Sequence, residues 1–271
     1  MKYEVRKYRI AILYLLVTIS CNLHAGNWDN CSGKWDNRTG ELNGKRILVF
    51  TKNGEGFVHD NIESNVEMFF TLAKQEDFHV DTTSNSAIFA TSELLLYDAI
   101  VFANTNNRVF ESQEERDGLV RFTRLGKGFL GIHSAGGTER EWDWFKKMIG
   151  GTFDFHPPLQ KFTVSVIDSL HPSTLGIPEA WGVNDELYLM KEFNPSVRVL
   201  MVSDFSSPGF KSSKPMPTTF GSIYPCVWCN DFEGGRQWFT ALGHNRSDYS
   251  DPLFMRHILG GLKWVVADKS F

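Results

Sequence analysis

Between residues 45 and 149 the chain alternates short apolar runs with amphipathic stretches, and this alternation narrows the choice of fold more than any single motif. Residues 45–51, 78–82, 97–103 and 127–133 read as strands. The segments between them carry helical periodicity. Ile62, Val66, Phe69, Phe70 and Ala73 fall on one predicted helical face, with Asp60 and Glu63 spaced as a capping box at its start. Ser112 and Glu115 open a second helix running to about residue 125, and residues 141–149 form a third. Strands interleaved with helices at this spacing imply a parallel sheet covered on both faces. The later half differs: residues 162–167, 186–191, 197–202 and 236–242 read as strands with few helices between them. A mixed or antiparallel extension is therefore expected. Asp251-Pro252 opens a final helix, with proline at its favoured first position. The fold class is α/β, a doubly wound and mostly parallel sheet with a mixed β extension.

Within this frame the stretch Gly128-Phe-Leu-Gly-Ile-His-Ser-Ala-Gly-Gly-Thr138 stands out, because an apolar strand breaks abruptly into a histidine and small residues. Open α/β sheets build their sites at strand ends. His133 sits at such an end. His59 lies where the loop after the first strand enters a helix, and the positive end of that helix is expected to keep its imidazole neutral. His244 follows the strand at 236–242, and His156 ends the loop after Gly151. Asp185 and Glu186 open a strand on alternate faces, so one of the two is expected to face a shared pocket. For each histidine the alternative is a structural hydrogen bond to loop backbone. Arg236 has the plain reading of bracing the Gly234-Gly235 turn.

The chain has 271 residues and a net charge of −4, with Lys2, Arg6, Lys7 and Arg9 gathered at its start. The body is therefore mildly acidic and has no basic cluster, which argues against nucleic acid as a partner. That basic start precedes an apolar run at residues 10–19, too short to span a bilayer and shaped like a secretory signal. Cleavage after Ala25 and lipidation at Cys21 compete, so residues 1–25 (or 1–20) form the expected signal, residues 26–44 a tether and residues 45–267 the domain. The expected location is periplasmic or lipid-anchored, with membrane contact only through Cys21. Of the other cysteines, Cys31 has no assigned partner, and Cys226-Val-Trp-Cys229 is better read as structural than as half a zinc site.

Phe57-Val-His59, Gly131-Ile-His-Ser-Ala135, Gly150-Gly-Thr-Phe153 with His156-Pro157, His171-Pro172, Asp185-Glu-Leu-Tyr188 and Gly234-Gly-Arg236 through His244 together resemble the trehalose-utilisation (ThuA-like) family. The resemblance covers about residues 45–267. It implies a flavodoxin-like sandwich similar to class I glutamine amidotransferases, which hold a nucleophilic cysteine at the strand-to-helix elbow. His133 occupies that place here, which excludes thioester chemistry.

The resemblance also implies carbohydrate metabolism, with a glycoside or keto-sugar as the small-molecule partner and hydrolysis or elimination as the reaction. In that reading His133 or His59 moves a proton, Glu186 or Asp185 is the partner acid or base, and His244 orients substrate or metal. His156, Phe57, Tyr188 and Trp142 complete the expected substrate-binding set, with the aromatic rings facing sugar C–H surfaces. A divalent metal on His59, His133 and His244 is compatible with the residue types, although no closely spaced ligand pair enforces it. No nicotinamide fingerprint is present. A non-catalytic carbohydrate-binding or accessory protein is the alternative, and the oligomeric state stays open.

Overall fold

The computed structural model describes residues 36–268, so the expected signal, most of the tether, Cys21 and Cys31 lie outside the described residues. Eleven strands and four α-helices are present among those described: β1 (Arg46–Phe50), α1 (Ile62–Glu76), β2 (His79–Thr83), β3 (Ala99–Ala103), α2 (Gln113–Arg124), β4 (Gly128–Ile132), α3 (Asp143–Ile149), β5 (Thr152–Phe155), β6 (Gln160–Val166), β7 (Ala180–Asp185), β8 (Leu189–Lys191), β9 (Arg198–Asp204), β10 (Ile223–Phe232), β11 (Gly235–Thr240) and α4 (Pro252–Val265). Nine strands form one sheet in the order β2-β1-β3-β4-β11-β10-β9-β6-β7, and β5 pairs with β8 apart from it. From β2 to β11 the pairing is parallel; from β11 to β7 it is antiparallel.

Burial explains why the parallel half was legible in the sequence. Every residue of β3 and β4 is buried, as strands sandwiched between helices must be, so they appear as unbroken apolar runs. α2 and α3 cover one face, where Phe102 meets Phe129 at 4.9 Å and Phe145 at 5.7 Å between ring centroids. Such ring pairs add about 0.5–1.5 kcal/mol each beyond area burial. α1 and α4 cover the other face. There the Trp238 indole donates to Ser173 Oγ at 3.0 Å, and His257 Nδ1 donates to the Ser173 carbonyl at 2.8 Å.

The antiparallel half departs further from expectation. β7 is half exposed and β10 is longer than its Cys-x-x-Cys centre suggests. β10 and β11 join through Glu233-Gly234, both with positive φ (46° and 99°), the turn geometry whose twist matches a two-residue hairpin. Cys226 and Cys229 are free and buried within β10, and burial pushes both thiols up, Cys226 to about 12. The strand expected from Glu186 begins only at Leu189, so Asp185 closes β7 and Glu186 lies just past its end.

Two local expectations are corrected. α1 has no capping box: Asn61 is the N-cap without a side-chain cap bond, and Asp60 instead pairs with Arg246 at 3.1 Å. Its buried face carries Asn65, Met68, Phe69 and Leu72, while Phe70 is exposed. Arg236 does not brace its neighbouring turn. Its guanidinium pairs with Asp36 and donates to the Trp264 carbonyl, while the Trp264 indole donates to the Asp36 carbonyl. Leu42 is buried as well, so the described end of the expected tether lies against the domain at Asp36 and Leu42.

His171 and His257, the latter on the inner face of α4, are fully buried, and burial holds both imidazoles neutral, down to about 2 and about 4. The unfolded chain takes up protons near the ordinary value of 6.5, so between pH 6.5 and 4 it binds more protons than the native state. Stability should therefore fall as pH drops through that window. Thermal unfolding from pH 7 to 4 should show a declining Tm, and His257→Asn, which keeps a donor towards Ser173, should flatten the decline.

Candidate active site

The carboxyl ends of the parallel strands deliver their loops to one edge of the sheet, and the candidate residues are carried there. His133 directly follows β4 in the left-handed region (φ 50°), a conformation that costs a non-glycine residue on the order of 1 kcal/mol. The chain turns sharply at that point into a short 3-10 segment, leaving the imidazole at the strand tip. His59 arrives from the β1–α1 loop, Gly243-His244 from the end of β11, Glu186 from the end of β7 and His156 from the end of β5.

These five side chains meet. The His59 ring lies 4.8 Å from that of His133 and 5.5 Å from that of His244, both edge-on. Glu186 Oε2 is 3.4 Å from His133 Nε2 and 3.3 Å from His244 Nδ1, while Oε1 is 3.4 Å from His156 Nδ1. His59, His133 and Glu186 are buried, at 6%, 0% and 8% exposure; His244 and His156 reach the surface.

Hydrogen bonding orients the cluster without saturating it. His133 Nδ1 is 2.8 Å from the Ala241 carbonyl, which can only accept, so this nitrogen carries a proton and Nε2 is turned towards Glu186. His156 Nδ1 likewise donates to the Pro157 carbonyl at 2.8 Å. His59 Nδ1, His133 Nε2, His244 Nδ1 and Glu186 Oε2 are buried with no hydrogen-bond partner, their close approaches lacking hydrogen-bond alignment. Burial pushes the Glu186 carboxyl up, but the His133 and His244 imidazoles beside it more than offset this and keep it ionised. His59 is neutral, lowered to about 3 by burial first and by the neighbouring His133 second. Three imidazoles and a carboxylate, each offering one ligand atom within 4.8 Å of the others, have the makings of a metal-binding set.

Three expected residues take different places. The Asp185 carboxylate does not face the cluster: it accepts from the backbone N–H groups of Gly243 (2.8 Å), His244 (3.3 Å) and Glu186 (2.7 Å) and holds that loop in place. Burial raises Asp185 to about 6. Tyr188 is 5% exposed and lies against His133 at 4.2 Å between rings, so it braces the imidazole and offers no open face. Trp142 packs against Phe110, Trp144 and Phe145 at the start of α3, and none of its ring contacts is with a histidine of the cluster. Phe57 is 66% exposed beside His59 and keeps a free ring face at the rim.

A second set of residues escaped the sequence reading. Asn61 Nδ2 donates to the carbonyls of Gly243 (2.9 Å) and His244 (2.7 Å), Asn65 Nδ2 donates to Asn104 Oδ1 at 2.6 Å, and the Tyr249 hydroxyl sits 2.6 Å from the Gly243 carbonyl and 2.8 Å from Asn104 Oδ1. Gly243 must be glycine: its φ is 109°, and a Cβ would meet the Tyr249 hydroxyl and the Phe254 ring at 2.9 Å. The signal available was two asparagines at i, i+4 on an otherwise apolar stripe. Removing a buried donor costs about 1–3 kcal/mol. Tyr249→Phe should therefore lower the stability measured by urea unfolding by that amount, with an unchanged m-value.

The profile of the trehalose-utilisation family, ThuA, matches residues 46–265. No curated protein matches the chain. Among solved structures, a ThuA-like protein from Bacteroides uniformis aligns with a TM-score of 0.69 at 22% identity, over 86% of this chain and 95% of that one. A ThuA-like protein from Parabacteroides merdae aligns at 0.64 and 17%, over 83% and 90%. A β-galactosidase from Rahnella sp. R3 aligns at 0.52 and 13%, over 82% of this chain but 31% of its own. These similarities are of fold. Because the family profile runs from β1 to the end of α4 and takes in every residue of the cluster, the chain belongs to the trehalose-utilisation (ThuA-like) family.

Proposed function

We propose that this protein is an exported enzyme that acts on a glycoside or keto-sugar by proton transfer, in a hydrolysis or elimination. Membership of the trehalose-utilisation family supports a carbohydrate-related role. The observation that carries the catalytic reading is Glu186, held ionised among His133, His156 and His244 at strand ends, with the exposed Phe57 ring beside them. The basic start and the apolar run at residues 10–19 support export.

His156 is the group best placed to take a proton from substrate. It reaches the surface, and its Nδ1 proton is held by the Pro157 carbonyl with Glu186 Oε1 nearby, so Nε2 is left as the base. The Glu186 charge stabilises the imidazolium that forms. His59 and His133 lie too deep to exchange protons with a bulky substrate. Phe57 offers its ring to an apolar sugar face.

A carbohydrate-binding accessory role is the second reading, favoured by His133 standing at the β4 tip where a nucleophile would be. A panel of glycosides and keto-sugars separates the two. Turnover by the wild type and a loss of about 100-fold or more in kcat for His156→Ala, with KM little changed, supports the enzyme. Binding without turnover across the panel supports the accessory role.

A further inference from the structure

We propose that His59, His133, His244 and Glu186 together bind a divalent transition-metal ion, which takes neighbouring oxygens of the substrate as further ligands. The substrate half of this proposal rests on the function proposed above; the ion half stands on geometry alone. Each of the four side chains offers one ligand atom, and these atoms all lie within 4.8 Å of one another. Ligand atoms about 2.0–2.2 Å from a shared ion lie roughly 3–4 Å apart, so a small contraction closes the set around one ion.

The second observation is that each of the same four side chains carries an unpartnered polar atom. His59 Nδ1, His133 Nε2, His244 Nδ1 and Glu186 Oε2 are all buried and without a hydrogen-bond partner. An unpartnered buried polar atom is costly, and four on side chains gathered this closely call for a shared partner. A single ion satisfies all four at once. His133 is also oriented as a ligand: its Nδ1 proton is held by the Ala241 carbonyl, which fixes the tautomer and aims Nε2 inward. Behind His244 and Glu186, Asp185 holds the backbone of both through its carboxylate.

Three imidazoles and one carboxylate favour zinc, manganese, iron(II), cobalt or nickel over calcium or magnesium, which prefer oxygen ligands. Three neutral imidazoles and one carboxylate leave the ion with a net positive charge and with coordination positions to fill. Adjacent oxygens of a sugar, above all a ketone and its neighbouring hydroxyl, match such an ion, which would polarise the carbonyl as a Lewis acid.

The test uses untagged protein stripped with EDTA and titrated with Co2+ and then Zn2+. One Co2+ per chain with visible absorption bands, together with a Tm raised by several degrees in Zn2+, is the expected result. Glu186→Gln and His133→Ala should each weaken Co2+ binding by about 100-fold or more. Wild-type protein that binds Co2+ no more tightly than Glu186→Gln overturns the proposal, and this comparison holds even where His133→Ala fails to fold. Tight one-to-one binding without turnover of any sugar upholds the ion and removes the enzyme reading. Full turnover by stripped protein upholds the enzyme and removes the ion.

Discussion

The arrangement of the site depends on one backbone contact, the hydrogen bond from His133 Nδ1 to the Ala241 carbonyl. It joins the tips of β4 and β11, neighbours in the parallel sheet, and each of those tips carries a histidine of the cluster. The left-handed turn at His133 makes the bond reachable, and the bond in turn fixes which nitrogen faces Glu186. Tyr188 packs against the ring and leaves it little room to rotate. A strained residue, one hydrogen bond and one aromatic contact thus define a single imidazole orientation.

Around this contact the protein places polar groups where a core ordinarily holds none. Asn61, Asn65, Asn104 and Tyr249 form a buried network whose purpose is to hold the Gly243-His244 carbonyls and the start of α1 together. Its amide and hydroxyl donors find acceptors, while Asn61 Oδ1 and Asn65 Oδ1 stay unpartnered. In the histidine cluster beyond it the unpartnered atoms are ring nitrogens and a carboxylate oxygen, groups that can bind a ligand, whereas the network's amides are spent on holding backbone.

How much was legible follows from the same physics. The parallel strands appear in the sequence because burial on both faces leaves only apolar residues, as in β3 and β4. β7 was missed because it is half exposed and carries mixed residues, and β10 because its Cys-x-x-Cys centre draws the eye from a ten-residue strand. The α1 face was misjudged because its true orientation is set by Asn61 and Asn65 bonding to distant backbone and side-chain atoms, which periodicity cannot register. The convergence of His59, His133, His244 and Glu186 was foreseeable from their places at strand ends; His156 was less certain, and Trp142 was misplaced because nearness along the chain does not decide which rings a side chain packs against.

The docking of Asp36 against Arg236 and Trp264 has a directional meaning. Arg236 lies at the start of β11 and Trp264 in the last turn of α4, whose Val265 lies against Gly128 where β4 begins, so Asp36 is held at the base of the sheet. The imidazoles occupy the opposite rim. Anything that pulls on Asp36 therefore loads the edge of the sheet remote from the histidines, leaving their rim out of the line of force.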